Sequence, residues 1–325
     1  MVFWNRFLKW IGKLEVIQIE PFLAISNGQQ VFVKGRVISA YKQSRPKARN
    51  NPMKNIFASI RRYAVTSIPE IPILISLGDG QEEVISDQDG VFECLLTSTD
   101  DTQVYFSVNE KEEGLKYQDG ELSIYHVQYP NGVISDIDDT ILISHATQIG
   151  KKLWLSISKN AYTRRPFPGV SEFYQKLAIG GRNEVFYVSS SDWSLYDLIR
   201  DFLEFRNIPT GPILLKDKHI NLKNIWTSGG GSHDHKFEKI RFLFSFFPEM
   251  NFILVGDSGQ HDPEIYAELK EEFPDRIKSI FIREIKANNF IDTKRDYLQS
   301  NLGFYFVKNT NDAIQIAENL ALFSS

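Results

Sequence analysis

Residues 133–140, Val-Ile-Ser-Asp-Ile-Asp-Asp-Thr, set two carboxylates and a hydroxyl (Asp136, Asp138 and Thr140) in alternation at the end of an apolar run. Ionised carboxylates buried at a strand end are costly unless something compensates them. A hard cation does so, and Mg²⁺ takes few carboxylates together with substrate phosphate oxygens. The spacing suggests a division of labour in phosphoryl transfer. Asp136 attacks phosphorus and forms an aspartyl-phosphate, while Asp138 protonates the leaving oxygen and later activates water. Asp139 has no task in this scheme and is expected to face solvent or cap a helix. Alone, the motif fits an Asp-rich turn capping a helix as well.

Three later stretches hold the partners this chemistry needs. Residues 184–189 form an apolar run that ends in the hydroxyls of Ser189, Ser190 and Ser191. Such hydroxyls suit phosphate oxygens, and they suit ordinary N-caps equally. Lys236 follows a glycine-rich loop, with His233 and His235 just before it, and is expected to open a helix. There it reaches phosphate and restrains the nucleophilic carboxylate, or it is a surface lysine. Residues 252–262 end an apolar strand with Gly256 and Asp257 and add Asp262 five residues on. Gly256 permits close backbone approach, and the two acids can complete an oxygen shell for Mg²⁺.

The elements that must position these residues follow from the hydrophobic pattern. From residue 129 onward strands alternate with helices, the pattern of a parallel α/β sheet. Strands are expected at 132–136, 184–189, 212–215, 252–257, 277–282 and 304–307, and helices at 148–160, 170–178, 193–205, 236–247, 263–273 and 312–322. Each chemical residue then closes a strand or opens the next helix. In open α/β sheets ligands bind at the carboxyl ends of the strands. The order Asp-x-Asp-x-Thr, Ser, Lys, Gly-Asp-x4-Asp resembles the haloacid dehalogenase superfamily of phosphotransferases. That resemblance implies a doubly wound, Rossmannoid parallel sheet with the four motifs along its carboxyl edge.

A closer resemblance covers most of residues 129–285. It is carried by Ile134 to Ile141, Tyr187 to Trp193, Leu195-Tyr196, Arg200 to Phe202, His235-Lys236, Gly256 to Gln260, Asp262 to Tyr266 and Phe281-Ile-Arg283. These are similar to the catalytic domain of the actin-patch-protein type of phosphatidate phosphatase and its bacterial relatives. The resemblance implies Mg²⁺-dependent hydrolysis of phosphatidate to diacylglycerol and phosphate, with Asp136 as nucleophile and Asp138 as acid and base. It places Asp136, Asp138 (through its main-chain carbonyl) and Asp257 at the metal, with Asp262 as a supporting carboxylate there. Thr140, Ser189, Ser190 and Lys236 are the expected phosphate contacts. Between Ile141 and Gly169 there is room for a small flap rather than a large cap, which suits a bulky or membrane-held substrate. His145, Arg164 and Arg165 in that stretch are candidates for a lipid headgroup or a second phosphate, or ordinary surface residues.

Upstream, residues 16–128 read as all-β: about seven short strands separated by turn signals such as Asp79-Gly80, Asp89-Gly90 and Asp119-Gly120. This suggests a small β-sandwich preceding the α/β domain of residues 129–325. Its insertion at 41–64 carries seven basic residues and no acid. Residues 1–15 contain an amphipathic helix candidate, with Phe3, Trp4, Phe7, Leu8, Trp10, Ile11 and Leu14 on one face and Arg6, Lys9 and Lys13 on the other. Together the two segments suit an anionic membrane surface, or a packed terminal helix and a solvated loop.

Whole-chain composition limits the classes. With 325 residues, 42% of them apolar, the chain is long enough for two cores. A net charge of −4 argues against a nucleic-acid partner. The single cysteine, Cys94, permits no internal disulfide and suits a reducing, cytoplasmic setting, while residues 1–15 and 41–64 suit peripheral membrane contact. No apolar run approaches the roughly 18 residues that span a bilayer. The expected function is phosphatidate hydrolysis. The alternatives are the same chemistry on a soluble phosphomonoester or phosphoprotein, or a non-catalytic lipid- or protein-binding scaffold.

Overall fold

The computed structural model describes residues 16–39, 66–143, 165–216 and 232–323. The expected N-terminal helix, the basic insertion 41–64, the helix expected over 148–160, His145 and Arg164 lie outside them. The chain divides into two compact units, whose described residues are 16–39 with 66–127 and, for the second, 128–143, 165–216 and 232–323.

The first unit is all β. Its strands are β1 (Val16–Ser26), β2 (Gln30–Ser39), β3 (Thr66–Ser67), β4 (Pro72–Leu77), β5 (Gly80–Ile85), β6 (Val91–Thr97), β7 (Gln103–Val108), β8 (Lys116–Gln118), β9 (Gly120–Ser123) and β10 (Tyr125–His126). One sheet runs β10-β1-β2-β3, with β6 also on β2 and β8 also on β1; the other runs β5-β4-β7-β9. Residues in β4 alternate between buried and half-buried, as strands with one face on a core must. Ile17, Ile19, Val31, Val33 and Val37 of the first sheet share a core with Ile73, Ile75, Val104 and Phe106 of the second, which makes the unit a β-sandwich. The end of the unit forms two short strands rather than one. β9 pairs antiparallel with β7, and β10 pairs parallel with β1, so the chain changes sheets at Ile124.

The second unit is built on six parallel strands: β11 (Asn131–Ser135), β12 (Asn183–Asp192), β13 (Ile213–Lys216), β14 (Asn251–Asp257), β15 (Ile277–Arg283) and β16 (Phe304–Val307). Their order is β13-β12-β11-β14-β15-β16. The first strand is central and the chain winds outward on both sides, which is the doubly wound topology. Its helices are α1 (Val170–Gln175, continued by a wider turn over Lys176–Gly180), α2 (Tyr196–Phe205, after one 3₁₀ turn from Trp193), α3 (Ser232–Phe246), α4 (Asp262–Glu272), α5 (Asn289–Leu302) and α6 (Thr310–Asn319). Central strands β11 and β14 are buried almost throughout, because helices cover both faces of such a sheet.

Helix α5 has no counterpart in the expected elements. Its termini do carry signals: the Asn288 side chain accepts from the N–H groups of Phe290 and Ile291, and Gly303 ends the helix in the left-handed region at φ 71°. Only Ile291, Leu298 and Leu302 are buried along its 14 residues, so its apolar stripe is thin. A tighter constraint lies at Gly211. A β-carbon there would overlap the main-chain carbonyl oxygen of Val185, inside a strand that cannot shift without losing its ladder. Gly211→Ala is expected to destabilise the protein by about 2–3 kcal/mol through overpacking, read as a lowered midpoint in urea unfolding.

Candidate active site

Asp136 extends β11 by one residue, its N–H donating to the carbonyl of Val255 on β14 at 2.9 Å. The chain then folds back in a single turn, with the N–H groups of Ile141 and Leu142 both donating to the Ile137 carbonyl at 3.0 and 3.1 Å. Ile137 and Ile141 pack inward, so the polar residues between them gather at the strand end. Asp136, Asp138 and Thr140 are all buried, and Thr140 Oγ1 donates to Asp136 Oδ2 at 3.1 Å. Asp139 departs from expectation: it does not face solvent. It is buried in the left-handed region at φ 60°, and its N–H donates to the Leu142 carbonyl at 2.8 Å. Aspartate tolerates that conformation better than most residues.

Lys236 is no surface lysine. At 4% exposure its ammonium meets Asp136 Oδ1 at 2.9 Å and forms a very short ion pair with Asp262 Oδ1. Asp262, in the first turn of α4, uses its other oxygen to accept the N–H of Asp257 at 3.1 Å. Gly256 makes this approach possible, since a β-carbon there would lie 2.8 Å from Tyr266 Cε2 and closer still to Asp262. Asp257 is fully buried; Oδ1 accepts the Gly259 N–H at 2.5 Å, while Oδ2 is buried with no hydrogen-bond partner.

The serines divide. Ser189 and Ser191 both donate to Asp138 Oδ2, at 3.3 and 2.5 Å, and Ser189 Oγ accepts the Ser191 N–H at 3.0 Å. Ser190, half-buried between them, makes no such bond. Strand β12 runs on to Asp192, beyond the expected Ser189, and an irregularity in its pairing with β13 after Val188 accompanies the turn of both hydroxyls toward Asp138. Two supports escaped the sequence reading. Ser135 Oγ donates to the Asp136 carbonyl at 2.6 Å and lies 2.5 Å from the Tyr174 hydroxyl. A serine inside an apolar strand was the available signal for the first; nothing in the sequence marked Tyr174. Trp193 is buried, as a Trp opening a helix usually is.

The electrostatics follow from burial. Asp136 is pushed up to about 7 by desolvation, with Asp262 and Asp138 adding to the rise and Lys236 opposing it. Asp257 is pushed up to about 9 by desolvation, then by the charges of Asp262 and Asp136. Burial works against the charge on Lys236, yet Asp136 and Asp262 hold it well above the ordinary lysine range. Oxygens of Asp136, Asp257 and Asp262 lie within 4.8 Å of one another. Three buried acids against one ammonium leave surplus negative charge, and the unpartnered Asp257 oxygen leaves a donor atom. This set fits a cation. Asp257, with its unpartnered oxygen, is the best placed to bind it directly, while Asp136 and Asp262 each engage both oxygens, sharing Lys236.

The carboxyl edge of a doubly wound parallel sheet thus carries acids, hydroxyls and a lysine together. Residues 131–284 match the family described as the catalytic domain of phosphatidate phosphatase APP1. A Saccharomyces cerevisiae protein named phosphatidate phosphatase APP1 is 35% identical over 160 residues, 49% of this chain and 27% of that protein. An uncharacterized protein of Schizosaccharomyces pombe is 27% identical over 170 residues, 52% of this chain and 27% of its own length. The alignments thus span about a quarter of the length of these curated relatives. Among solved structures, a protein from Burkholderia xenovorans described as haloacid dehalogenase-like aligns over 59% of this chain and 99% of its own at 13% identity, with a TM-score of 0.39.

The raised carboxyl groups make a stability prediction for protein stripped of divalent cations. The folded pKa of Asp257 lies above its unfolded value, so the folded state binds more protons between about pH 4 and 9. The penalty is absent below the unfolded value, grows as pH rises, and is complete above the folded one. In chelator, the wild type is therefore expected to lose stability relative to Asp257→Asn between pH 5 and 9, by about 1–3 kcal/mol. Thermal unfolding of the two proteins across that range checks it.

Proposed function

We propose that this chain is a Mg²⁺-dependent phosphoric monoester hydrolase acting on phosphatidate, with Asp136 as nucleophile. The observation that carries the reading is the seating of Asp136: buried, with Lys236 at 2.9 Å on one oxygen and Thr140 at 3.1 Å on the other. Both contacts hold the carboxylate at the edge where ligands bind in such sheets. The name of the yeast relative supports the lipid substrate.

In this reading Asp136 attacks the phosphorus and the ester bond to the leaving oxygen breaks, giving an aspartyl-phosphate. Asp138, oriented by Ser189 and Ser191, gives its proton to the leaving oxygen, which departs as diacylglycerol. Its carboxylate then takes a proton from water as that water attacks phosphorus, the bond to Asp136 breaks, and inorganic phosphate leaves. Lys236 favours the ionised form of Asp136 against the cost of burial and adds positive charge beside the transferring group. Asp136, Asp257 and the main-chain carbonyl of Asp138 would hold Mg²⁺, with Asp262 behind them. The ion supplies charge neutralisation of phosphate and carboxylates. Thr140, Ser189 and Ser190 are the hydroxyls proposed to meet phosphate, though the first two are engaged with Asp136 and Asp138 in the resting site.

We place the protein in the cytoplasm, peripheral on an anionic membrane. The amphipathic pattern of residues 1–15 and the seven basic residues of 41–64 support the membrane contact.

Phosphate release from phosphatidate in mixed micelles tests the substrate. Release is expected with Mg²⁺ and not with chelator, to fall about 10³-fold or more in Asp136→Asn and about 10²–10⁴-fold in Asp138→Asn. Turnover of p-nitrophenyl phosphate but not phosphatidate would keep the chemistry and discard the lipid. For the membrane, co-sedimentation with phosphatidylserine-containing vesicles is expected to drop when Lys42, Arg45, Lys47, Arg49, Lys54, Arg61 and Arg62 are neutralised, and unchanged binding contradicts it.

A further inference from the structure

The carboxyl edge of the sheet holds a second buried cation, Arg283, to which the chemistry above gives no task. It ends β15 directly beside Asp257 on β14 and is 8% exposed. Its guanidinium carbon lies 4.3 Å from the ring centroid of Phe167, and Nη2 donates to Thr310 Oγ1 at 3.0 Å. Nε is buried and makes no hydrogen bond. Desolvating a guanidinium is costly, and an unmade bond adds to the cost. An aliphatic side chain would fill this place without either. What it would lack is a flat cation able to stack on a ring and donate at its rim at once.

Phe167 lies on the returning arm of a short antiparallel stem. The N–H of Ile143 donates to the Arg165 carbonyl at 3.1 Å and that of Phe167 to the Ile141 carbonyl at 3.0 Å, with Leu142 paired to Pro166 between them. The outgoing arm begins at Ile141, the residue after Thr140. Leu142 also pairs with Asp138 and accepts the N–H of Asp139, so the stem and the turn bearing the acids share hydrogen bonds. Beyond Phe167 the chain turns through Gly169 at φ 75°, where a β-carbon would lie 3.4 Å from Thr310 Cβ. Arg283, Phe167, Gly169 and Thr310 thus form one knot at the base of the stem.

We propose that Arg283 is a positioning residue: it anchors this stem to the sheet edge, and through the shared hydrogen bonds it fixes the turn that presents Asp136, Asp138 and Thr140. Its bearing on catalysis rests on the phosphatase reading; the anchoring does not. A misplacement of about 1 Å at a reacting group costs about 10²-fold, so a loosened stem is felt mainly in kcat.

The test uses the full chain and two readouts, amide hydrogen exchange and steady-state turnover of p-nitrophenyl phosphate. Arg283→Gln is expected to speed exchange at Ile143 and Phe167 by about tenfold or more relative to the β14 amides of Ile253 to Val255. It is expected to lower kcat about 10–100-fold with little change in KM. Arg283→Lys keeps the charge but cannot stack and reach Thr310 together, and is expected to restore neither readout fully. Phe167→Leu should reproduce both effects, and the double variant should be no worse than either single one. Unchanged exchange at Ile143 and Phe167 in folded Arg283→Gln overturns the anchor. Faster exchange with undiminished kcat overturns its catalytic bearing. If Arg283→Gln does not fold, Phe167→Leu carries the same two readouts. If the wild type turns over no phosphomonoester, the phosphatase reading fails and the exchange result alone decides the anchor.

Discussion

One buried ammonium holds the site together. Lys236 sits between Asp136 and Asp262, and without it three carboxylates would crowd a space where their oxygens already lie within 4.8 Å of one another. Desolvation alone moves Asp136 and Asp257 far toward their neutral forms. A neutral Asp136 is no nucleophile. The lysine offsets one charge and leaves a surplus that a hard cation would neutralise, and that cation would in turn offset the charge of a substrate phosphate.

The doubly wound order is what brings these groups to one place. β11 lies between β12 and β14, and each of the three ends in chemistry: Asp136, the Ser189 and Ser191 pair, and Asp257. The remaining two groups come from the early turns of helices, Lys236 from α3 and Asp262 from α4. Main-chain economy supports the arrangement at two points. Gly256 lets Asp262 reach the Asp257 amide, and the left-handed turn at Asp139 closes the loop on Leu142. Catalytic groups on rigid strand ends and helix starts need little reorganisation, which is the condition for electrostatic stabilisation to act.

Much of this was legible in the sequence because the signal is a contradiction: acids terminating runs that are otherwise apolar. Asp136, Asp138 and Asp257 stand out that way, and the strands bearing them were readable from the same runs. The pairing of Lys236 with Asp262 was not, since 26 residues separate them and only the fold brings them together. Asp262 read as a possible cation ligand, and its carboxylate does lie within 4.8 Å of those of Asp136 and Asp257, while also holding Lys236 and the Asp257 amide. The choice of Ser191 over Ser190 depends on how β12 meets β13, which no local pattern encodes. Helix α5 was missed because three buried residues over 14 make a weak stripe, although Asn288 and Gly303 marked its ends. The break between β9 and β10 is a change of partner sheet, visible only once the partners are known.

In the proposed reaction Asp136 becomes covalently phosphorylated. The most direct test of this step is borohydride reduction of enzyme quenched during turnover, followed by peptide mass spectrometry. An acyl phosphate at Asp136 would be reduced to homoserine, so homoserine is expected at position 136, dependent on substrate and divalent cation. Homoserine at another aspartate, or ongoing phosphate release with an unmodified Asp136 under conditions that trap a known acyl phosphate, would contradict it.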